Sequence, residues 1–270
     1  MHFFLTGHTG FKGSWLTLLL TELGHTVSGF SLDVPPQGLF EEANLGELLG
    51  ADYRGDVRDK LSLRRAIAQS EPDVCVHLAA QSLVLTAYDD PVQTFTTNVD
   101  GTLNFLQAVT AVGVETALVI TSDKVYKDQG RRAYVETDPL GGLDPYSASK
   151  SMADILASSW SEMPESPAVI IARAGNVVGA FDSSPNRLLP DINRAIADGS
   201  PLRVRNASMV RPWQHVLDCL RGYLMYIEAA ASRFTDLPAV LNFGPEISSG
   251  RSVQEVGELA RESVPFTYVV

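Results

Sequence analysis

Three glycines at three-residue spacing, Gly7, Gly10 and Gly13, stand between a short apolar run and a helix-period segment. No other feature of the sequence restricts the fold as much. The run His2 to Thr6 reads as a buried strand, and the segment after Gly13 carries Leu16, Leu18, Leu19, Leu20 and Leu23 on a helix that Gly24 ends. A strand passing into a helix through Gly7-His8-Thr9-Gly10-Phe11-Lys12-Gly13 has a use for each glycine. The first makes the tight turn, the second lets a pyrophosphate approach the backbone, and the third lets the helix pack on the strand. The helix N-terminus adds unpaired N–H groups and partial positive charge. Structural turns share this glycine spacing, but the strand–glycines–helix context favours dinucleotide binding.

The rest of the chain repeats the alternation. Thr26 to Leu32, Asp73 to Leu78, Thr116 to Thr121 and Pro167 to Ala172 read as strands, and Pro91 to Val112 and Pro145 to Trp160 as helices that open with proline. Several of these strands are continuously apolar, which requires helices on both faces. The predicted fold class is therefore α/β, a Rossmann-type doubly wound parallel sheet. Beyond Gly179 the loops lengthen and grow polar, with helices expected at Arg187 to Ala197 and His215 to Ala231. The expected division is a dinucleotide-binding domain over 1–178 and a small C-terminal substrate-binding lobe over 179–270, interleaved with the first. The last residues, Pro265 to Val270, are apolar and strand-like, so a further C-terminal segment is expected to follow them.

Charge narrows the partners. A net charge of −11 argues against nucleic acid and against a cationic membrane-surface protein. An anionic ligand must then be held by a few local cations. The N-terminus has no basic leader and its apolar stretch is too short for export or for spanning a bilayer. Cys75 and Cys219 are far apart without metal-ligand companions, so no metal site is expected and the chain reads as a cytoplasmic protein.

Cofactor choice rests on the end of the second strand. A carboxylate there bonds a ribose 2′-hydroxyl and repels a 2′-phosphate; the candidate is Asp33, with Ser31 slightly earlier at the position where an acid is also expected. Lys12 is within reach of a 2′-phosphate. NAD is expected and NADP stays open. Asp56, in Gly55-Asp56-Val57, reads either as a carboxylate near the adenine amino group or as a solvated turn acid. A second constellation is Tyr146-Ser147-Ala148-Ser149-Lys150, in which phenol and ammonium share a helix face. A nearby cation favours the phenolate, which can take a hydroxyl proton while hydride leaves the same carbon. Ser122, in Thr121-Ser122-Asp123-Lys124 at a strand end, supplies a hydroxyl to orient the substrate oxygen. Asp123 and Lys124 beside it add an acid and a base, the groups an elimination needs.

These residues resemble the extended short-chain dehydrogenase/reductase family acting on nucleotide sugars, and within it the CDP-glucose 4,6-dehydratases. The likeness runs from His2 to Pro245 and is carried by Thr6 to Trp15, His77-Leu78-Ala79-Ala80-Gln81, Asn98 to Thr102, Thr121 to Lys124, Gly141 to Ser147, Arg173 to Gly179 and Arg211-Pro212-Trp213-Gln214-His215-Val216. The resemblance implies that Tyr146 deprotonates the sugar 4-hydroxyl, Lys124 removes the C5 proton and Asp123 releases the C6 hydroxyl as water. It implies that Lys150 holds the ribose and lowers the Tyr146 pKa, and that Asn98 supports the helix carrying them. Thr9, Phe11, Val57, Leu78, Ala79, Ala80 and Thr121 would complete the cofactor site. Gln81, Asn176, Arg187, Asn206 and Arg211 would bind a nucleotide-diphosphate sugar, and the Pro91 to Val112 helix would form a homo-oligomer, dimer or tetramer. Four departures from the family pattern fall near the substrate: Leu85, Gly179-Ala180-Phe181-Asp182-Ser183, Asp154 in place of a glutamate, and Lys127-Asp128-Gln129-Gly130-Arg131-Arg132 in place of an aromatic stretch. A 4-epimerase, a 4-keto reductase and a non-catalytic dinucleotide-binding protein remain as alternatives.

Overall fold

Strands without a polar face need cover on both sides, and the cover found is one helical layer on each. The computed structural model describes residues 1–130, 133–204, 206–232, 236–246, 249–264 and 266–269. Arg131, Arg132, Pro265 and Val270, which figure in the sequence reading, lie outside the described residues. Six strands come in order: β1 (His2–Thr6), β2 (Thr26–Ser31), β3 (Ala51–Arg54), β4 (Val74–His77), β5 (Thr116–Ile120) and β6 (Ala168–Ala174). With a seventh, Val240–Phe243, they form one parallel sheet in the order Val240–Phe243, β6, β5, β4, β1, β2, β3. Chain direction across the sheet reverses between β1 and β4, so their carboxyl ends at Thr6 and His77 open a crevice where ligands of such sheets sit.

One face is covered by α1 (Phe11–Glu22) and the helix Val216–Ala231, which bury Leu16, Leu20, Leu220, Tyr223 and Ile227 against β1 and β5. The other is covered by the helices Lys60–Ser70, Gly101–Val112 and Pro145–Ser161, through Leu63, Ile67, Phe105, Leu106, Val109 and Ala157. The helix at 216 and the seventh strand arise after residue 179, yet they complete the main sheet and its core. Short strands decorate the cleft side: Tyr268–Val269 runs parallel to Leu202–Arg203, and Arg251–Ser252 antiparallel to Val210–Arg211. Among the described residues no helix is long and apolar enough to cross a membrane.

The stretch from Pro91 is a helical run of three parts rather than one regular helix. Asp90 caps it by accepting from the Gln93 amide, a π-helical turn occupies Thr96–Asp100, and α-helix resumes over Gly101–Val112. The π-turn carries Asn98, and such turns are frequent at functional sites. β3 and the helix at Lys60, capped by Asp59, escaped the periodicity argument. β3 is an edge strand with alternating half-buried residues, so it lacks the apolar run that marks its neighbours.

A buried histidine ties the crevice floor together. His77 Nδ1 lies 2.8 Å from Thr6 Oγ1, its Nε2 lies 3.2 Å from Thr102 Oγ1, and its ring stacks on Phe105. Burial, with the Lys150 ammonium nearby, lowers its pKa from 6.5 to about 3. The native ring therefore stays neutral while the unfolded chain takes up a proton below 6.5, so this contribution to stability is present above 6.5 and lost as pH falls toward 3. Urea unfolding at a series of pH values is expected to show wild-type stability falling through this window more steeply than that of His77→Gln, by about 1.4 kcal/mol per pH unit.

Candidate active site

The glycine turn is built by backbone crowding. Gly7 adopts φ +75°, and a Cβ on it would stand 2.8 Å from the Ala79 amide nitrogen. A Cβ on Gly13 would stand 2.1 Å from the Gly7 carbonyl oxygen, so α1 can approach β1 this closely only with glycine there. Gly10 differs: a Cβ there would meet only that same carbonyl, at 3.4 Å. No side chain caps α1, which leaves its first amides facing a cleft of about 920 Å³. Gly7, Thr9, Gly10, Phe11, Lys12 and Gly13 line this cleft, as do Ser31 and Asp33 at the end of β2, Asp56 and Val57 beyond β3, and Leu78, Ala79 and Ala80 after β4. Thr9 Oγ1 and Ser31 Oγ are 2.7 Å apart, and Asp33 is exposed beside them. The cradle suits a dinucleotide: free amides for the pyrophosphate, and a carboxylate at the end of β2 to meet a ribose hydroxyl.

Two cofactor-side expectations differ in detail. The Asp56 carboxylate is held by Arg58, whose Nε lies 2.9 Å and 3.0 Å from its oxygens, and this pairing lowers the Asp56 pKa. Lys12 does not face the ribose end of the crevice. Its ammonium donates to the Tyr223 hydroxyl at 3.3 Å, in the field of Arg187, Asp123 and Lys124, and burial pushes its pKa down. A 2′-phosphate contact from Lys12 is therefore excluded by direction.

The reactive groups meet where β5 ends. Asp144 caps the helix Pro145–Ser161 by accepting from the Ser147 amide at 2.9 Å, with proline in the first turn. This places Tyr146 and Lys150 on the cleft side, 8% and 6% exposed. Lys150 Nζ donates to the Ile120 carbonyl at 2.9 Å, and burial, reinforced by Lys12, lowers its pKa to about 8. Ser122 extends from the same strand end and caps a 3-10 turn, Asp123–Val125, accepting from the Lys124 amide at 3.3 Å. Asp123 Oδ1 accepts from both Lys124 Nζ, at 2.8 Å, and Ser122 Oγ, at 3.1 Å. Ser122, Lys124, Tyr146, Lys150 and Thr121 line the cleft, and Asp123 connects to it through its two neighbours. Burial raises the Tyr146 pKa; the Lys124 ammonium, the Ser122 hydroxyl and Arg187 pull it back. Lys124 and Arg187 are thus cations whose fields favour the phenolate against burial.

Behind the site, Asn98 is fully engaged. Its amide bonds the Gln81 N–H and carbonyl at 2.8 Å and 3.0 Å and donates to Ser149 Oγ at 2.9 Å, which ties the loop after β4 to the tyrosine helix. The Gln81 side chain is turned inward, onto the Leu83 backbone and Thr94 Oγ1, so the structure does not direct it at a ligand. Asn176, Arg187, Asn206 and Arg211 line the far half of the cleft. Arg187 pairs with Asp182 at 3.2 Å and donates to Ser82 Oγ at 3.1 Å, while Asn176 Oδ1 is buried without a partner. Arg203 and Trp213 line the same half; no local sequence signal marks Arg203, because its short strand is held by a pairing with a distant partner, Val269.

A nucleotide-cradling glycine turn joined to a Tyr–Lys helix and a Ser-Asp-Lys strand end defines a dinucleotide-dependent enzyme with acid–base groups at the reacting centre. The sequence matches the NAD dependent epimerase/dehydratase family over residues 3–241, and the chain belongs to that family. The CDP-glucose 4,6-dehydratase of Salmonella typhimurium is 41% identical over 262 residues, spanning 93% of this chain and 73% of its own. The UDP-glucose 4-epimerase of Neisseria meningitidis serogroup B is 28% identical over 255 residues, 84% of this chain and 73% of its own. The solved structure of MoeE5 in complex with UDP-glucose and NAD has a TM-score of 0.84 at 25% identity, covering 100% of this chain and 85% of that one.

The glycines separate binding from folding in a testable way. Gly10→Ala is expected to weaken NAD binding at least tenfold by calorimetry while leaving the melting temperature nearly unchanged, since its methyl extends toward the pyrophosphate path rather than into packed backbone. Gly13→Ala, whose methyl meets backbone at 2.1 Å, is expected to lower the melting temperature as well.

Proposed function

We propose that the chain is a nucleotide-sugar 4,6-dehydratase that converts CDP-glucose to CDP-4-keto-6-deoxyglucose. The observation that carries this reading is the Asp123–Lys124 pair, 2.8 Å apart and joined to Ser122 beside the Tyr146 phenol. Oxidation at C4 and its reversal need only hydroxyl, phenol and ammonium; an additional acid and base have work to do when a proton and a hydroxyl must leave adjacent carbons. The kinship with CDP-glucose 4,6-dehydratase supports the same choice and points to cytidine as the nucleoside.

In this reading residues 1–178 hold the dinucleotide and 179–270 hold the sugar nucleotide. When bound, NAD would supply the hydride acceptor for C4 and the hydride donor for C6. Tyr146 takes the proton of the 4-hydroxyl, with Ser122 fixing that oxygen. The 4-ketone acidifies the C5 proton, which Lys124 removes; for this its ammonium must give up a proton and its contact with Asp123. Asp123, protonated in that exchange, delivers the proton to the departing C6 hydroxyl, and the Lys124 ammonium, after exchange with solvent, returns a proton to C5 as C6 is reduced. Lys150 holds the nicotinamide ribose. Arg187 and Arg211 bind the diphosphate, their forks matching its oxygens, with Asn176 and Asn206 beside them. Asp33 selects NAD over NADP by repulsion of a 2′-phosphate. The proposed site of action is the cytoplasm, and the proposed assembly is a homo-oligomer formed through the helices at Pro91 and Pro145, which expose Val92, Met152 and Ile155.

Incubating the protein with CDP-glucose and NAD in deuterated water is expected to yield a product lighter by one water and carrying solvent deuterium at C5. Lys124→Ala is expected to abolish water loss and, because it removes a cation that favours the phenolate, to slow C4 oxidation, followed by nicotinamide absorbance, without abolishing it. A CDP-galactose product with no loss of water would instead assign 4-epimerisation.

A further inference from the structure

Behind the Ser122-Asp123-Lys124 turn lies a buried charge network that the proposed chemistry does not use. Arg173, on β6, and Asp154, two turns along the tyrosine helix, are 4% and 0% exposed. Arg173 donates to Asp154 through Nε at 2.9 Å and through its Nη2 at 2.6 Å. Asp154 Oδ2 also accepts from Thr121 Oγ1 at 2.8 Å. The remaining arm of the guanidinium donates to the Tyr126 hydroxyl at 2.8 Å and to the Glu136 carbonyl at 3.0 Å. The Tyr126 hydroxyl in turn donates to Asn242 Oδ1 at 2.6 Å, on the last strand of the sheet, and the guanidinium lies 4.9 Å from the centre of the Tyr126 ring.

Thr121 and Tyr126 are the residues that bracket the reactive turn. One ion pair therefore holds both of its ends, the first through Asp154 and the last through Arg173. A buried ion pair is a weak source of stability, because desolvation offsets its Coulomb attraction, and its best-attested use is to fix register. Here the register fixed is that of the acid and base relative to the phenol, since Asp154 rides on the helix that carries Tyr146.

We propose that Arg173 and Asp154, acting through Thr121 and Tyr126, are positioning residues for the elimination step. They hold the Asp123–Lys124 pair in reach of C5 and C6. C4 oxidation depends on Tyr146 and Lys150, fixed independently by the Asp144 cap and the Ile120 carbonyl, and on Ser122, which follows Thr121 at the end of the turn held by Asp154 rather than by Tyr126. This inference rests on the dehydratase reading above.

The test uses Tyr126→Phe, which removes one tether and leaves the ion pair and the Thr121 link intact, so the chain keeps its fold. Tyr134→Phe is the control: its ring stacks on Tyr126, and a phenylalanine preserves that stacking. Single-turnover experiments follow reduced nicotinamide by absorbance and water loss by mass. In Tyr126→Phe, water loss is expected to slow by roughly tenfold or more, as a small misplacement of reacting groups does. C4 oxidation should stay within roughly twofold of wild type, so that reduced nicotinamide accumulates transiently. Tyr134→Phe is expected to match wild type. Equal slowing of both steps in Tyr126→Phe, or no slowing of either, overturns the positioning role while the dehydratase reading stands. A wild-type protein that fails to remove water from the sugar overturns that reading and this inference with it.

Discussion

The contact between the backbone of Gly13 and the carbonyl of Gly7 is the constraint on which the rest depends. With any side chain at position 13, a methyl would stand 2.1 Å from that oxygen, and α1 would have to move away from β1. The close approach keeps the uncapped N-terminus of α1 over the point where the sheet order reverses, so free amides and a helix dipole face the crevice between β1 and β4. Because β5 lies next to β4, the same register carries its end, and with it Ser122, Asp123 and Lys124, to the crevice's lip. The cofactor's position and that of the acid–base turn are thus two consequences of one parallel sheet.

Electrostatics inside the cleft run against those of the whole chain. A protein with net charge −11 gathers Lys12, Lys124, Lys150, Arg187, Arg203 and Arg211 around a single cavity. The cost is visible in the lysines: burial and each other's fields push the pKa of Lys150 to about 8 and lower that of Lys12. Diphosphates entering the cleft relieve this repulsion, so ligand binding stabilises both the protonated lysines and the fold that crowds them. Arg187 has the Asp182 carboxylate at 3.2 Å, and Lys124 has that of Asp123 at 2.8 Å, the group with which it must exchange a proton.

Much of this site was legible in the sequence because its chemistry is local. The glycine turn, the Ser-Asp-Lys at a strand end and the Tyr–Lys pair on a helix each occupy a few consecutive residues, and each elbow of a parallel sheet points the same way. What was illegible depended on distant chain. The direction of Lys12 is set by Tyr223, the engagement of Asn98 by Gln81 and Ser149, and part of the field on the Tyr146 phenol by Lys124 and Arg187, from other elements. β3 and the seventh strand hid because edge strands are half-buried and lack a long apolar run. The π-turn at Thr96 was invisible to a 3.6-residue period, since it adds one residue to a turn without changing the apolar stripe on either side.

In the proposed reaction a hydride passes within a single sugar, from C4 to C6, around an elimination run by Asp123 and Lys124. The most direct measurement is to supply CDP-glucose deuterated at C4 and locate the label in the product by NMR. The deuterium is expected on the new C6 methyl group of a 4-keto product, transferred without exchange with solvent. Deuterium found at C4 of an intact hexose, or lost to the solvent, would contradict it.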